Sequence, residues 1–307
     1  MTMKVIKPTN ITDTMFVSSS IPETDYTAWN AATSYTVGQR VMRAVTGVHR
    51  NFENLIAGVN ATLPELATTG ATPRWLDLGA TNRWAMFDSK VGTVSSASTS
   101  FNTVLTPGSI SGIAALGLTG RTLQVQMKST VGGAVVYSKT VNLDGTIITS
   151  FYDWFFEDYQ QLSDVTLTDL PSQYTAPEVT FTLSTTAGAV SCGTFSLGKV
   201  YTLGLSQYGA TVGIISYSVK STDVFGNTTV VKRQNSKRNN LKLMTDKVLF
   251  NRTYRLLADL DSVPCVYIGA EALGYEPLIV YGFWKDFSID VSYPTMNLTN
   301  IEIEGLI

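Results

Sequence analysis

Side chains able to carry out chemistry are scarce in this chain. His49 is the only histidine among 307 residues, so a Ser-His-Asp triad would have to use it, and no G-x-S-x-G elbow accompanies it. Cys192 and Cys265 complete the soft metal donors. Together with His49 they show neither zinc-finger nor H-E-x-x-H spacing, and both sit in apolar, strand-like surroundings that suit buried free thiols. No Walker-type loop occurs, and no G-x-G-x-x-G follows a strand. Glycoside hydrolysis needs only two carboxylates, and Asp153, Glu157 and Asp158 form the closest acidic cluster. A solvated loop edge accounts for that cluster better. The chain therefore reads as a non-enzyme, with no cofactor and no metal.

Binding chemistry is better represented. Sugars are held by stacking their C–H faces on exposed aromatic rings while polar side chains anchor the hydroxyls. Trp29, Tyr35, Trp75 and Trp84 are the candidate carbohydrate-binding residues, and the competing reading makes Trp29 and Trp75 the core of a small fold with little else to bury. A basic cluster, Lys232, Arg233, Lys237, Arg238 and Lys242, is the second candidate. It suits DNA, an acidic surface on a neighbouring protein, or an exposed hairpin guarded against edge-to-edge pairing. Without interleaved aromatics, and with a net charge of −2 over the whole chain, the guarded hairpin is the preferred reading.

These residues must be positioned by strands. Hydrophobic residues make up 44% of the chain, which excludes general disorder, and charged residues only 15%, well under the usual quarter. Thr, Ser, Gly and β-branched residues dominate, as in short strands joined by turns. Near-neutral charge gives no basis for nucleic-acid or anionic-membrane binding. No 18-residue apolar run is present to span a bilayer. The amino-terminal MTMKVIKPTNITDTMF lacks the apolar segment of a signal peptide, so synthesis in a cytoplasm is expected.

The expected class is mainly β, in four parts. Residues 1–25 read as an extended arm, mobile or laid across a neighbour. Residues 26–80 read as a small three-stranded domain. Residues 81–205 read as an antiparallel β-sandwich: Leu123, Val125 and Met127 alternate with polar residues, as do Val179, Phe181 and Leu183. The dense aromatic run FYDWFFEDY, Phe151–Tyr159, reads as a loop or short helix plugging one end of the sandwich. Residues 206–307 read as an α+β docking domain. A hairpin is expected about Phe225-Gly226-Asn227, and a further turn at Asn235-Ser236. The one clear helix spans Lys247 to Leu260, with Asp246 as N-cap and Leu249, Leu256, Leu257 and Leu260 on one face; Pro264 ends it. Strands follow at 266–268, 278–284, 287–293 and 300–304, which pins the carboxyl end in a sheet.

Three resemblances add to this. The order Trp29, Tyr35, Gly38, Val41, Phe52 with Leu55, Pro64, Trp75 resembles the chitin-binding-type carbohydrate-binding module of families 5 and 12, with Gln39 where Asp is usual and Phe52 where Tyr is usual. The strand order of the middle region is similar to galactose-binding-like jelly rolls. The segments GATNRWAMFD, QYGATVGIISYS, DVFGNTTVVKR, YRLLADL, YGFWKDFSIDVSYP and IEIEGL resemble a family of tailed-bacteriophage and prophage virion proteins. That last resemblance implies a structural tail or neck component, made in the bacterial cytoplasm and built into the virion as a homo-oligomer docked to other tail or neck proteins. The module resemblance implies an alternative: a receptor-binding appendage that recognises a bacterial surface glycan.

Overall fold

The computed structural model describes every residue except Ile147, Ala272, Leu273 and Ile307. Strands take up 48% of the chain and helices 9%, so the fold is mainly β, as the composition implies. Alternation in the sequence becomes cross-strand packing in the sandwich. Leu123 faces Leu183, Val125 faces Phe181 and Met127 faces Val179 across the antiparallel pair Thr122–Lys128 and Glu178–Ser184. These side chains join Phe101, Leu105, Phe195 and Leu197 in one buried cluster. The outer sheet of the sandwich runs Val135–Asn142, Thr122–Lys128, Glu178–Ser184, Ser100–Leu105, Phe16–Ser19.

The opposing sheet has nine strands, and six of them close into an antiparallel barrel. Thr194–Ser206 pairs with Thr2–Pro8, which pairs with Cys265–Ile268. Ile279–Asp290, Met296–Gly305 and Asn235–Asp246 follow in turn. The last of these returns to the first, with Leu205 opposite Met244 and Ser206 opposite Leu243. Closure removes the edges of the inner strands, and each of the six turns one face inward: Met3 and Val5, Leu203, Leu241 and Leu243, Cys265 and Tyr267, Val280, Ile301 and Ile303 form one buried cluster. Glycine is required where strands cross closely at the wall; a Cβ on Gly282 would fall onto the Glu304 carbonyl oxygen.

The helix expected near Lys247 forms as a 3₁₀ turn, Lys247–Leu249, running into an α-helix, Phe250–Asp259. Asp246 caps the turn by accepting from the Val248 amide at 2.9 Å. Leu256, Leu257 and Leu260 seal the barrel cluster, each stabilising it by about 1.5–3 kcal/mol of apolar burial. The Trp284 indole donates to the Leu257 carbonyl at 2.9 Å and fixes the helix to the wall. Among the described residues no helix is long and apolar enough to cross a membrane.

Four expectations are corrected. The segment 1–25 is not a free arm: Thr2–Pro8 is a barrel strand, with Met3, Val5 and Ile6 fully buried. The boundary at 205/206 falls inside the strand Thr194–Ser206; Phe195 and Leu197 of this strand face the sandwich core, and Leu203 faces the barrel core. Sandwich and barrel thus share a strand. Asn235-Ser236 is the start of a twelve-residue strand, not a turn. Residues 278–284 and 287–293 are one strand, Ile279–Asp290, bulged between Trp284 and Asp286. The carboxyl end does lie in a sheet, through Met296–Gly305.

Candidate functional site

The aromatic module is built on the three-stranded sheet Arg40–Val45, Val48–Asn54, Trp75–Ala80. Its core is Tyr35, Val41, Phe52 and Trp75, with Trp29 packed at the side. Trp75 is 0% exposed, and Tyr35 meets it edge-on at 5.3 Å. The Tyr35 hydroxyl accepts from the Asn30 amide at 2.7 Å and donates to the Asn30 carbonyl at 3.1 Å, so both its ring and its oxygen are committed inside the module. Trp29 is half-buried, and the Arg43 guanidinium lies over its ring at 5.2 Å, held by Glu65 at 2.8 Å. Phe52 is fully buried, where a phenol oxygen would need a partner of its own. Gln39 does the turn-forming work expected of Asp, accepting from the Thr36 amide at 3.1 Å.

Trp84 lies just beyond the module, and its ring stacks with Phe16 at 4.9 Å and with His49 at 4.4 Å. The four residues singled out for sugar binding therefore do not converge on an open platform. Tyr35 and Trp75 are core, Trp29 is roofed by an arginine, and Trp84 is a joint between the module and the sandwich. A stacking site needs a free ring face, and Trp75 has none.

His49 is the centre of that joint. Its Nε2 faces Asp13 Oδ1 at 2.6 Å and its Nδ1 faces Glu23 Oε1 at 2.9 Å. Each ring nitrogen thus has a carboxyl oxygen within hydrogen-bond distance. Thr81 donates to Glu23 Oε1 at 2.7 Å, the Gly47 amide donates to Asp13 Oδ2 at 2.6 Å, and Arg83 reaches Glu23 Oε2 at 3.5 Å. This constellation ties three separate stretches together: the 9–25 connection, the module and the segment after it. Sequence spacing does not reveal this cluster, because its members are brought together only by the fold.

Two other elements stand away from the body. The run FYDWFFEDY forms the short helix α1, Phe151–Phe156, with a capping box between Ser150 and Asp153. No α1 residue is buried: Phe151 is 88% exposed, and Tyr152, Trp154, Phe155 and Phe156 are each about 70% exposed. It does not plug the sandwich as expected. The contacts at its base explain why: a bridge joins Asp144 to Gln161, and the Tyr159 hydroxyl donates to the Leu143 carbonyl at 3.1 Å, so the helix is held beyond the sheets. Hydrogen bonds from the Thr149 hydroxyl, Ser150 and their amides hold the Asp153 carboxyl down to about 2. Asp153 is thus a cap residue, while Glu157 and Asp158 are exposed beyond it.

The second projection is a β-arm. Thr211–Ser216 is the edge strand of the nine-stranded sheet, and Val219–Thr222 pairs with Thr228–Val231 beyond it. The expected turn is present, with Asp223 accepting from the Phe225 and Asn227 amides and Gly226 at φ +86°. Both outer strands are exposed along their whole length, and Val224 and Phe225 at the tip are nearly bare. The basic cluster divides here. Lys237 is paired with Asp164 at 2.6 Å and Arg238 with Glu302 at 2.8 Å. Lys232 and Arg233 form no ion pair with a described residue, and they line a cleft of about 560 Å³ with Val91 at the base of the arm.

Both cysteines are free and fully buried. Burial pushes the Cys265 thiol up to about 12 and Cys192 higher still. Among the described residues no three His, Cys, Asp or Glu side chains gather as a metal ion would require. No family model, no curated protein and no solved structure matches the chain.

Proposed function

We propose that this chain is a structural component of a tailed-phage virion, a tail, neck or appendage-attachment protein that works by docking to neighbouring virion proteins in several copies. The observation that carries the reading is α1. A preformed, capped helix whose aromatic side chains all stand in solvent is a surface that a protein acting alone avoids. Covering one such ring supplies about 1.5–3 kcal/mol, and aromatic side chains are the usual anchors of protein interfaces. The β-arm supports the same reading, since an uncovered edge strand invites pairing. The segments that resemble phage virion proteins supply the setting. The particle is assembled in the bacterial cytoplasm, and this chain's place is in the virion.

Recognition of a bacterial surface glycan is the second reading, and one feature favours it at a place other than the aromatic module. Arg121, Asn142, Asp144, Gln161 and the exposed ring of Tyr159 line a cleft of about 450 Å³ at one end of the sandwich, the mix of polar groups and ring that a sugar needs. Quantitative mass spectrometry of purified particles tests the first reading. The chain is expected in a fixed multiple per particle, and its absence from particles that infect normally would sink the proposal. A glycan array with the full chain tests the second: retention lost on Tyr159→Ala supports it, and no retention on any envelope glycan ends it.

A further inference from the structure

The two projections differ in charge as well as shape. From Gly145 to Ser163 the chain carries Asp153, Glu157 and Asp158 and no lysine or arginine, so the aromatic helix rides on a stalk of net charge −3. From Gln207 to Gln234 it carries Lys220, Lys232 and Arg233 against Asp223, a net +2, and Asp223 is consumed by the turn it holds. Glu157 and Asp158 form no ion pair with a described residue, and neither do the three cations of the arm. Elsewhere on the surface opposite charges meet in pairs such as Lys128 with Glu178 and Arg50 with Asp77. Each projection also exposes apolar side chains: Trp154, Phe155 and Phe156 on one, Val219, Val230 and Val231 on the other.

We infer that α1 of one copy docks on the basic arm of a second copy, with Glu157 and Asp158 against Lys232 and Arg233 and the rings of α1 against the arm's valines and the cleft beside Val91. This rests on the docking function proposed above and names one partner for it. The occupant follows from the charges: an acidic, aromatic knob and a basic, apolar arm on one polypeptide are complementary to each other and not to themselves. Two α1 knobs would repel, as would two arms, which disfavours a twofold contact of either element with its own copy. Joined reciprocally, the unlike patches make a twofold dimer; joined in one direction only, they make a head-to-tail contact, which closes into a ring if the rotation per copy divides a full turn. Rings are the form a tail or neck needs. The charged part supplies orientation and rate of encounter, and the aromatic part supplies most of the affinity.

Sedimentation velocity of the full chain over a concentration and salt series tests the inference. Wild type is expected to self-associate, more weakly as salt rises because exposed charges are screened. A knob variant (Trp154→Ala with Asp158→Lys) and an arm variant (Lys232→Glu with Arg233→Glu) are each expected to weaken association by roughly tenfold or more. All four side chains are exposed, and circular dichroism identical to wild type checks that each variant folds. Mixing the two variants one to one is expected to give dimers and nothing larger, because only one intact knob–arm pair remains between them. A monomeric wild type, association unaffected by both variants, or a mixture that stays monomeric overturns the inference. None of these results touches the presence of the chain in particles, so the docking function itself stands or falls separately.

Discussion

Trp75 and Tyr35 of the amino-terminal module are sealed against one another, whereas Phe151, Trp154 and Phe156 of α1 stand in solvent, although both stretches are rich in aromatic residues. The difference lies in what surrounds each run. Around Trp75, strands of the small sheet supply Val41 and Phe52 to complete a core, and a domain of this size has little else to bury. Around α1, the sequence supplies its own cap and a base closed by the Asp144–Gln161 bridge, and the rings lie open to solvent. Aromatic density alone therefore does not separate a core from an exposed surface. The presence of a complementary apolar face does.

Exchanging the roles of the two stretches exposes the contrast most strongly. Trp75→Ala should cost about 3–5 kcal/mol, more than a module this small can spare, and limited proteolysis should cut within residues 26–80 while the barrel survives. An intact module would mean that Trp75 is not its core. Second in size is the joint. His49→Leu leaves Asp13 and Glu23 facing one another without the donor between them, a loss of about 1–3 kcal/mol, read as a lowered first transition in urea and faster cleavage in the 9–25 connection. Unchanged protection there would remove the imidazole from any role in holding the module.

Smaller again is the effect of the buried thiols. A thiol whose folded value is raised stays neutral while the unfolded chain ionises, so stability is present below the ordinary value of 9.0 and falls as pH rises from there toward about 12. Neither cysteine should react with a thiol reagent in the native state, and both should react once the chain is unfolded. A fast-reacting thiol at neutral pH would contradict their burial. The smallest effect belongs to α1: Trp154→Ala should leave stability within about 0.5 kcal/mol of wild type, measured by urea unfolding of the monomer, because the side chain is 68% exposed. A larger loss would mean that α1 is part of the body after all.

Much of the fold is legible in the sequence where pairing is local or patterning strict. Alternation at Leu123–Met127 and Val179–Leu183, the Asp246 cap and the turn at Gly226 are all where their spacing puts them. The barrel is not legible, because period-two alternation specifies a strand's inward face and says nothing of its partner. Thr2–Pro8 pairs with residues nearly two hundred positions away, and a run as short as Met3–Ile6 looks the same in a mobile arm. The strand Thr194–Ser206 hides its double role for a related reason: its first half answers one core and its second half another. At the candidate site the types of residue were readable and their placement was not. Trp29, Tyr35, Trp75 and Trp84 stand at module-like spacing, yet only the fold shows that His49 and Phe16 already occupy the ring of Trp84. The clamp of Asp13, Glu23 and His49 joins residues up to 36 apart, with no motif to announce it.

Hydroxyl-radical footprinting of the chain, free and in purified particles, tests the contrast between the two aromatic stretches most directly. Trp75 should be protected in both states, while Phe151–Tyr159 and the strands Val219–Thr222 and Thr228–Val231 should be oxidised in the free chain diluted to its monomer and protected in the particle. Equal oxidation of α1 and the β-arm in both states would contradict the claim that these elements exist to be covered.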